Sequence, residues 1–409
     1  MRKMLNKKER EKHDIINCCI KRSVTERDAA KRLGLTVRQV QRLKAKMRGG
    51  ISLLHGNCGR LPSKTVSVEA KEKVLLDIGK AEYAGVNFKH FYELTKPKMS
   101  YDFMRKFLNA NEFTSPKQRR SNKKKVHKTR ERRAKFGELI QADGTPFDWF
   151  KSGEMQSLHV LIDDCRGELV GLHISKNECM DGYFEVTRQM LCTHGTPEAF
   201  YADGLSIFFS NKKQELTIEE QLLGISIRKT QFGEICDELG IELIHAQSPQ
   251  AKGRVERVNG TLQSRLPIEF AIRNITTIDE ANKFLKEEYI DMFNKQFAVN
   301  RDSKSCFVPL PTTVNLDELL TWKTTRKVDK GCSFSLNSVK FSTSTDLASK
   351  TIQLLISKRL GIVASHNQKF YDVKPILLNQ KNITSSDSVE MIFNRFVDFY
   401  TLKNEHLVA

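Results

Sequence analysis

From Phe136 onwards the chain lays down short apolar runs broken by turn residues, and two of these runs close on Asp-Gly. Leu139-Ile140-Gln141-Ala142-Asp143 reads as a strand ending on a carboxylate, with Gly144, Pro146 and Trp149 in the following turn. Leu158-His159-Val160-Leu161-Ile162-Asp163 and Leu169-Val170-Gly171-Leu172-His173-Ile174 read as a second and third strand. Asp164, Arg166 and Gly167 between them supply hairpin chemistry. Residues 181–193 form a helical pattern with Phe184, Val186 and Met190. A fourth strand, Ala199-Phe200-Tyr201-Ala202-Asp203-Gly204, follows. After a helix over 232–239 comes a fifth, Ile241-Glu242-Leu243-Ile244. Ser248-Pro249-Gln250 breaks the chain, and a helix starts near Lys252 carrying Glu256, Asn259, Leu262, Gln263 and Leu266. Three antiparallel strands, then helix and strand in alternation, restrict this region to a mixed α/β sheet flanked by helices.

Such sheets place ligands at the carboxyl ends of their strands. Asp143, Asp203 and Glu256 come from three separate elements and can converge there. Three close carboxylates repel one another and are stable together only with cations between them. Oxygen-only donors favour Mg²⁺, or Mn²⁺ in its place, over zinc. Two such ions activate a nucleophile and stabilise a leaving oxygen in phosphoryl transfer. Competing acids read differently: Asp163 and Asp164 as hairpin caps, Asp148 as a turn residue. His245 and Ser248 flank the path to Glu256 and read as structural. On the Glu256 helix, Lys252 and Asn259 share its face, with Gln263 one turn on. These three are expected to hold a DNA backbone beside the ions. Arg254 and Arg257 point elsewhere, towards flanking phosphates or acidic neighbours. No nucleophile-elbow pattern and no P-loop is present.

Charge separates the first third from the rest. Residues 1–136 hold 37 basic and 13 acidic side chains, whereas the remaining residues hold 31 and 36. The positive excess therefore lies in one region, and nucleic acid is the polyanion expected there. Within it, Thr25 and Asp28 suit a helix start, and Ala29, Ala30 and Leu33 give a buried stripe. Gly34 suits a left-handed helix end, Thr36 a second cap, and Val37, Val40 and Leu43 an inward face. Arg38, Gln39, Gln41, Arg42 and Lys44 then point outward, as on the recognition helix of a helix-turn-helix. A linker over 51–67 carries Arg60, and residues 68–113 suggest a second helix-turn-helix-like unit. Residues 117–135 hold eleven Lys or Arg, among them Lys123, Lys124 and Lys125, and are expected to strap onto phosphates.

Taken together, Gln141-Ala142-Asp143-Gly144 with Trp149, Tyr201-Ala202-Asp203-Gly204 and the run Ser248-Pro249-Gln250-Ala251-Lys252-Gly253-Arg254-Val255-Glu256-Arg257-Val258-Asn259-Gly260-Thr261-Leu262 resemble the DDE transposases of bacterial insertion sequences. Within these the likeness is to the group called "not classified yet", in the retroviral integrase-like superfamily. The resemblance covers nearly the whole chain and implies an RNase H-like core in which Asp143, Asp203 and Glu256 bind two Mg²⁺. One departure stands out: Asp203 and Glu256 are 53 positions apart, more than in familiar integrases, with the extra residues within 205–231. The metal-binding histidine-cysteine module of retroviral integrases is not visible either.

The expected layout is multidomain. A helix-turn-helix domain over 1–50 leads through the 51–67 linker to the second helical unit over 68–113. A basic linker over 114–135 precedes an RNase H-like core over 136–300. A C-terminal domain over 301–409 holds a small β-barrel at about 322–375. The nine cysteines are odd in number and form no CxxC pair, which argues against a disulfide framework. No apolar run is long enough to span a bilayer and no signal-peptide core opens the chain, so a cytoplasmic, nucleoid-associated protein is expected. The expected activity is 3′-end cleavage and strand transfer at terminal inverted repeats of double-stranded DNA, by a dimer or higher multimer. The competing expectations are a catalytically silent DNA-binding regulator and a metal-dependent nuclease without strand transfer.

Overall fold

The computed structural model describes residues 7–51, 53, 65–116, 131–210, 229–246, 253–299, 304–336, 339–357 and 359–376. The chain divides into two compact units, Met1–Glu72 and Lys73–Ala409.

The first unit packs α1 (Lys7–Ile20), α2 (Glu26–Leu33) and α3 (Val37–Arg48) around Ile16, Cys19, Ala29, Ala30 and Val40. Its boundaries follow from the residues at them. Thr25 Oγ1 accepts from Asp28 N at 3.2 Å and starts α2. Gly34 ends α2 at φ 62°, a conformation that costs glycine nothing. Thr36 and Gln39 form a reciprocal capping box at the start of α3.

The second unit is built on a five-stranded sheet. Its strands are β1 (Ile140–Phe147), β2 (Gln156–Asp163), β3 (Leu169–Ser175), β4 (Ala199–Ala202) and β5 (Glu242–His245), in the order β3-β2-β1-β4-β5. β2 runs antiparallel to β1 and β3, while β1, β4 and β5 are mutually parallel. This mixed sheet fits an RNase H-like core. Side chains alternate along each strand, so the sheet buries both faces. On one face Ile140, Ala142, Leu161, Phe200 and Ala202 pack against α7 (Met180–Thr193) and α8 (Gln231–Glu238), through Tyr183, Phe184, Met190, Phe232 and Ile235. On the other, Leu158, Val160, Ile162, Leu172 and Ile174 meet α9 (Gly253–Arg273) through Val255, Leu262, Leu266 and Phe270. The same face is covered further by α10 (Ile278–Phe284), a π-helical turn at Leu285–Tyr289 and α11 (Ile290–Phe297).

Ahead of the sheet lie α4 (Val68–Ile78), α5 (Phe88–Thr95) and α6 (Tyr101–Ala110). α5 is docked on α9 by polar contacts that are largely buried. His90 Nε2 lies 2.7 Å from Glu269 Oε1, Arg265 Nη2 lies 2.7 Å from Glu93 Oε2, and Asn87 Nδ2 donates to Ser264 Oγ at 2.9 Å. After the short α12 (Leu316–Leu319), the C-terminal part forms two antiparallel sheets. One joins β6 (Trp322–Lys327), β9 (Thr351–Ser357), β10 (Gly361–His366) and β11 (Lys369–Asp372). The other joins β7 (Ser333–Leu336), β8 (Val339–Ser342) and β12 (Lys374–Pro375). Phe334, Phe341, Ile352, Leu354 and Ile356 form one core between them.

One expectation needs correction here. Asp143 does not end its strand: pairing with β2 continues through Asp143↔Val160 to Phe147↔Gln156, so the carboxylate stands inside β1. The turn after it is closed by Trp149, fully buried, whose Nε1 donates to Gln156 O at 3.0 Å.

Candidate active site

β1 and β4 are parallel neighbours with Ile140 opposite Phe200 and Gln141 opposite Tyr201. Continued two residues further, this register leads to Asp143 on β1 and Asp203 just beyond the end of β4. Both are half-buried. By strand alternation they share the face of Gln141 and Thr145, the face on which α9 lies.

α9 is laced to that face at four-residue intervals. Val255 N donates to Gln141 Oε1 at 3.3 Å, Asn259 Nδ2 to Asp143 Oδ2 at 2.7 Å, and Gln263 Nε2 to Thr145 Oγ1 at 3.0 Å. Four residues of helix rise about 6 Å and two residues of strand about 6.6 Å, so three successive contacts stay in step. Glu256 lies in the first turn of α9 and is exposed, about 60° round the helix from Asn259. Among the described residues no three Asp, Glu, His or Cys side chains are drawn closely enough together to hold a metal ion.

The opposite face of β1 carries a group that sequence reasoning missed. Gly144 has its bare Cα against the Glu178 side chain: a Cβ there would lie 2.3 Å from the carboxyl carbon. Tyr183 donates its hydroxyl to Glu178 Oε1 at 2.5 Å. Burial pushes the Tyr183 phenol well above its ordinary pKa of 10. The nearby charges of Glu178, Asp143 and Asp203 push the same way, so it remains a neutral donor. His159 holds this corner: burial lowers its pKa to about 3, and its neutral Nε2 accepts from Cys179 N at 3.1 Å at the start of α7. No local pattern marks Glu178; only the glycine beside Asp143 hints at a close approach.

The competing acids have structural partners. Asp163 is fully buried and accepts from Gly137 N at 3.0 Å and Arg166 N at 2.6 Å, and burial raises its pKa to about 6. Asp164 accepts from Gln141 Nε2 at 2.7 Å and pairs with Arg254, so that arginine meets an acidic neighbour. Asp148 accepts from Ser152 N and Gly153 N, both at 2.9 Å. His245 sits at the end of β5, its ring 4.8 Å from that of Phe209.

The expected DNA-contacting residues divide. Asn259, 7% exposed, and Gln263 face β1 as described rather than outward. On α3, Arg38 and Arg42 are exposed. Gln39 serves the capping box, while Gln41 Nε2 and Lys44 Nζ reach Glu26 at 2.9 and 2.6 Å. Lys44 is half-buried, not outward, because that carboxylate on α2 draws it in. Arg60, Lys123, Lys124, Lys125 and Lys252 lie outside the described residues, as does most of the 205–231 insertion. No helix among the described residues is long and apolar enough to cross a membrane.

The fold and this strand-edge site define an α/β protein with paired acids on neighbouring parallel strands. No protein-family model matches the chain. The transposase for insertion sequence IS1202 of Streptococcus pneumoniae is 34% identical over 359 residues, which is 79% of this chain and 75% of that protein. The putative transposase y4bF of Sinorhizobium fredii is 34% identical over 303 residues, 72% of this chain and 63% of that protein. Among solved structures, the HTLV-2 integrase catalytic core domain in complex with magnesium (dimeric form) matches 42% of this chain and 96% of its own. The TM-score is 0.28 and the identity 17%. A simian T-cell lymphotropic virus intasome in complex with the PP2A regulatory subunit B56 gamma matches 73% and 98%, with a TM-score of 0.30 and 15% identity. The chain belongs to the insertion-sequence transposases.

Proposed function

We propose that this chain is a DDE transposase that binds the terminal inverted repeats of its insertion sequence, cleaves the 3′ ends and transfers them into target DNA. The observation that supports this reading is the register of β1 and β4, which runs Asp143 and Asp203 towards each other beside α9, the helix that carries Glu256 in its first turn. The donors are all oxygens and suit Mg²⁺, with Mn²⁺ as a substitute. Asn259 Oδ1 fits the same chemistry, since it is buried without a hydrogen-bond partner beside Asp143. Two Mg²⁺ bound there would supply an activated water and stabilise the departing 3′ oxygen. Asp143 and Asp203 would hold them from adjacent strands, and Glu256 would complete the set from the helix. Asn259 fixes the Asp143 carboxylate, and the packed sheet keeps both aspartates in place.

In this reading DNA is gripped by the basic first third. The α2–turn–α3 pair, with Arg38 and Arg42 exposed, supports a helix-turn-helix role, and residues 68–113 would add a second DNA-binding unit. Joining two element ends requires them in one complex, so self-association on DNA is part of the proposal, and the C-terminal sheets are a surface for it or for DNA.

The test is incubation of purified protein with labelled terminal repeats, Mg²⁺ and a target plasmid. Joined products are expected. Cleavage without joining would make the protein a nuclease, and binding alone a regulator. Asp203→Asn is expected to abolish product and spare binding; retained cleavage would overturn the assignment.

A further inference from the structure

Glu256 is exposed, yet the reading above needs it at a fixed place. What fixes it lies one and two residues earlier on α9. Asp164 is fully buried, as is Gln141, and the Arg254 side chain is 11% exposed. One carboxylate oxygen of Asp164 accepts from Gln141 Nε2 at 2.7 Å and also pairs with Arg254 Nη1. The other accepts from Arg133 N at 2.9 Å. The Gln141 amide is used at both ends, since its oxygen takes the Val255 N–H, one of the amides that a helix start leaves without an intrahelical partner. A buried charge is thus matched by a guanidinium and two N–H donors. The same contacts tie the first turn of α9 to β1 and to the β2–β3 hairpin.

We propose that Arg254, Asp164 and Gln141 form a positioning clamp that sets Glu256 relative to Asp143; this rests on the metal-site reading above. Arg254 acts through the helix and is a positioning residue. Slippage of α9 along β1 by a single residue would rotate it by about 100° and break the Gln141, Asp143 and Thr145 contacts together. The clamp adds a charged stop at the end nearest Glu256.

The test uses the full chain with Mn²⁺ as probe, followed by titration calorimetry, together with deuterium uptake over residues 253–259. Arg254→Ala is expected to weaken Mn²⁺ binding by roughly 10–100-fold, the usual effect of losing a group that orients a ligand. It should also raise uptake in the first turn of α9 while leaving affinity for repeat DNA unchanged. Arg254→Lys should recover part of both. Since loss of one partner strands a buried charge, the paired replacement Arg254→Met with Asp164→Leu serves as the folded control. It is expected to melt near the parent yet show the same weakened Mn²⁺ binding. Parental Mn²⁺ binding and parental uptake in both variants would overturn the clamp. Asp143→Asn separates the two ideas. If it loses Mn²⁺ while Arg254→Ala does not, the clamp is wrong and the metal reading stands. If it binds Mn²⁺ like the parent, the metal reading fails, and uptake alone decides the clamp.

Discussion

Asn259 donates its side-chain N–H to Asp143 Oδ2 across 2.7 Å, joining α9 to β1 between residues 116 positions apart. The bond holds one carboxylate oxygen of Asp143 and orients the other. Asn259→Ala removes that hold without adding bulk. Its expected effect is a fall of roughly 10–100-fold in cleavage rate at fixed Mg²⁺, the range for loss of a partner that orients a ligand. Single-turnover cleavage of a labelled terminal repeat measures it. An unchanged rate would mean that Asp143 needs no such support.

Gly144 and Gly171 offer a matched comparison. A Cβ at Gly144 would first meet the Glu178 carboxyl group, at 2.3 Å, and a side chain can swing away. A Cβ at Gly171 would lie 2.6 Å from the Val186 carbonyl oxygen, part of the α7 backbone, which cannot. Gly171→Ala is therefore expected to destabilise by about 1–3 kcal/mol, as overpacking does. Gly144→Ala should melt closer to the parent but lose activity, because the Tyr183–Glu178 contact beside Asp143 is displaced. Thermal melts and cleavage assays on the two variants separate these outcomes.

Buried Asp163 gives stability a pH signature. Its pKa rises from 3.8 in the unfolded chain to about 6. Between these values the folded state holds a proton that the unfolded state has released. Stability from this group is therefore full below about pH 4 and falls as pH rises through 6, by up to about 3 kcal/mol. Asp163→Asn cannot titrate. The stability of the parent minus that of the variant should shrink from pH 4 to pH 6.5 in urea melts; a constant difference would refute the assignment.

Much of the layout is legible because it is local. Thr25, Gly34 and Thr36 bound α2 and α3 through contacts within a few residues, and the period of the apolar runs gives the sheet and its helices. Asp143 and Asp203 stand out because each closes an apolar run and is followed by glycine. Its limit is distance along the chain. Arg254 meets Asp164 across 90 positions and His90 meets Glu269 across 179, and no periodicity encodes which polar residues will share a buried pocket. Gly144 and Pro146 resemble a turn in the sequence, whereas cross-strand pairing with β2 carries β1 past Asp143 to Phe147.

The His90–Glu269 contact docks α5 on α9, with Arg273 on the second Glu269 oxygen. Burial alone would raise the Glu269 pKa, but the His90 hydrogen bond and the His90 and Arg273 charges outweigh it and lower it. This contribution is present above the ordinary carboxylate pKa and is lost as pH falls through the folded one. His90→Ala leaves one oxygen of the buried Glu269 carboxylate without its donor while Arg273 stays on the other, and is expected to cost about 1–3 kcal/mol near neutral pH. Adding Glu269→Gln should cost much less than the sum of the single changes. A double-mutant cycle in denaturant measures the coupling, and simple additivity would show that the two side chains do not act together.

On α3, neighbouring cations should separate by role. Lys44 Nζ sits 2.6 Å from Glu26 and is half-buried, whereas Arg42 is exposed. If this face meets DNA, Arg42→Ala should weaken binding to a terminal repeat and lower the slope of log affinity against log salt by about 1, the signature of one lost phosphate contact. Lys44→Ala should leave that slope nearly unchanged and lower the melting temperature instead, because it removes a contact between α2 and α3. Fluorescence anisotropy from 50 to 200 mM salt, beside thermal melts of the same proteins, distinguishes them. A salt slope that responds to Lys44 and ignores Arg42 would turn a different face of the unit towards DNA.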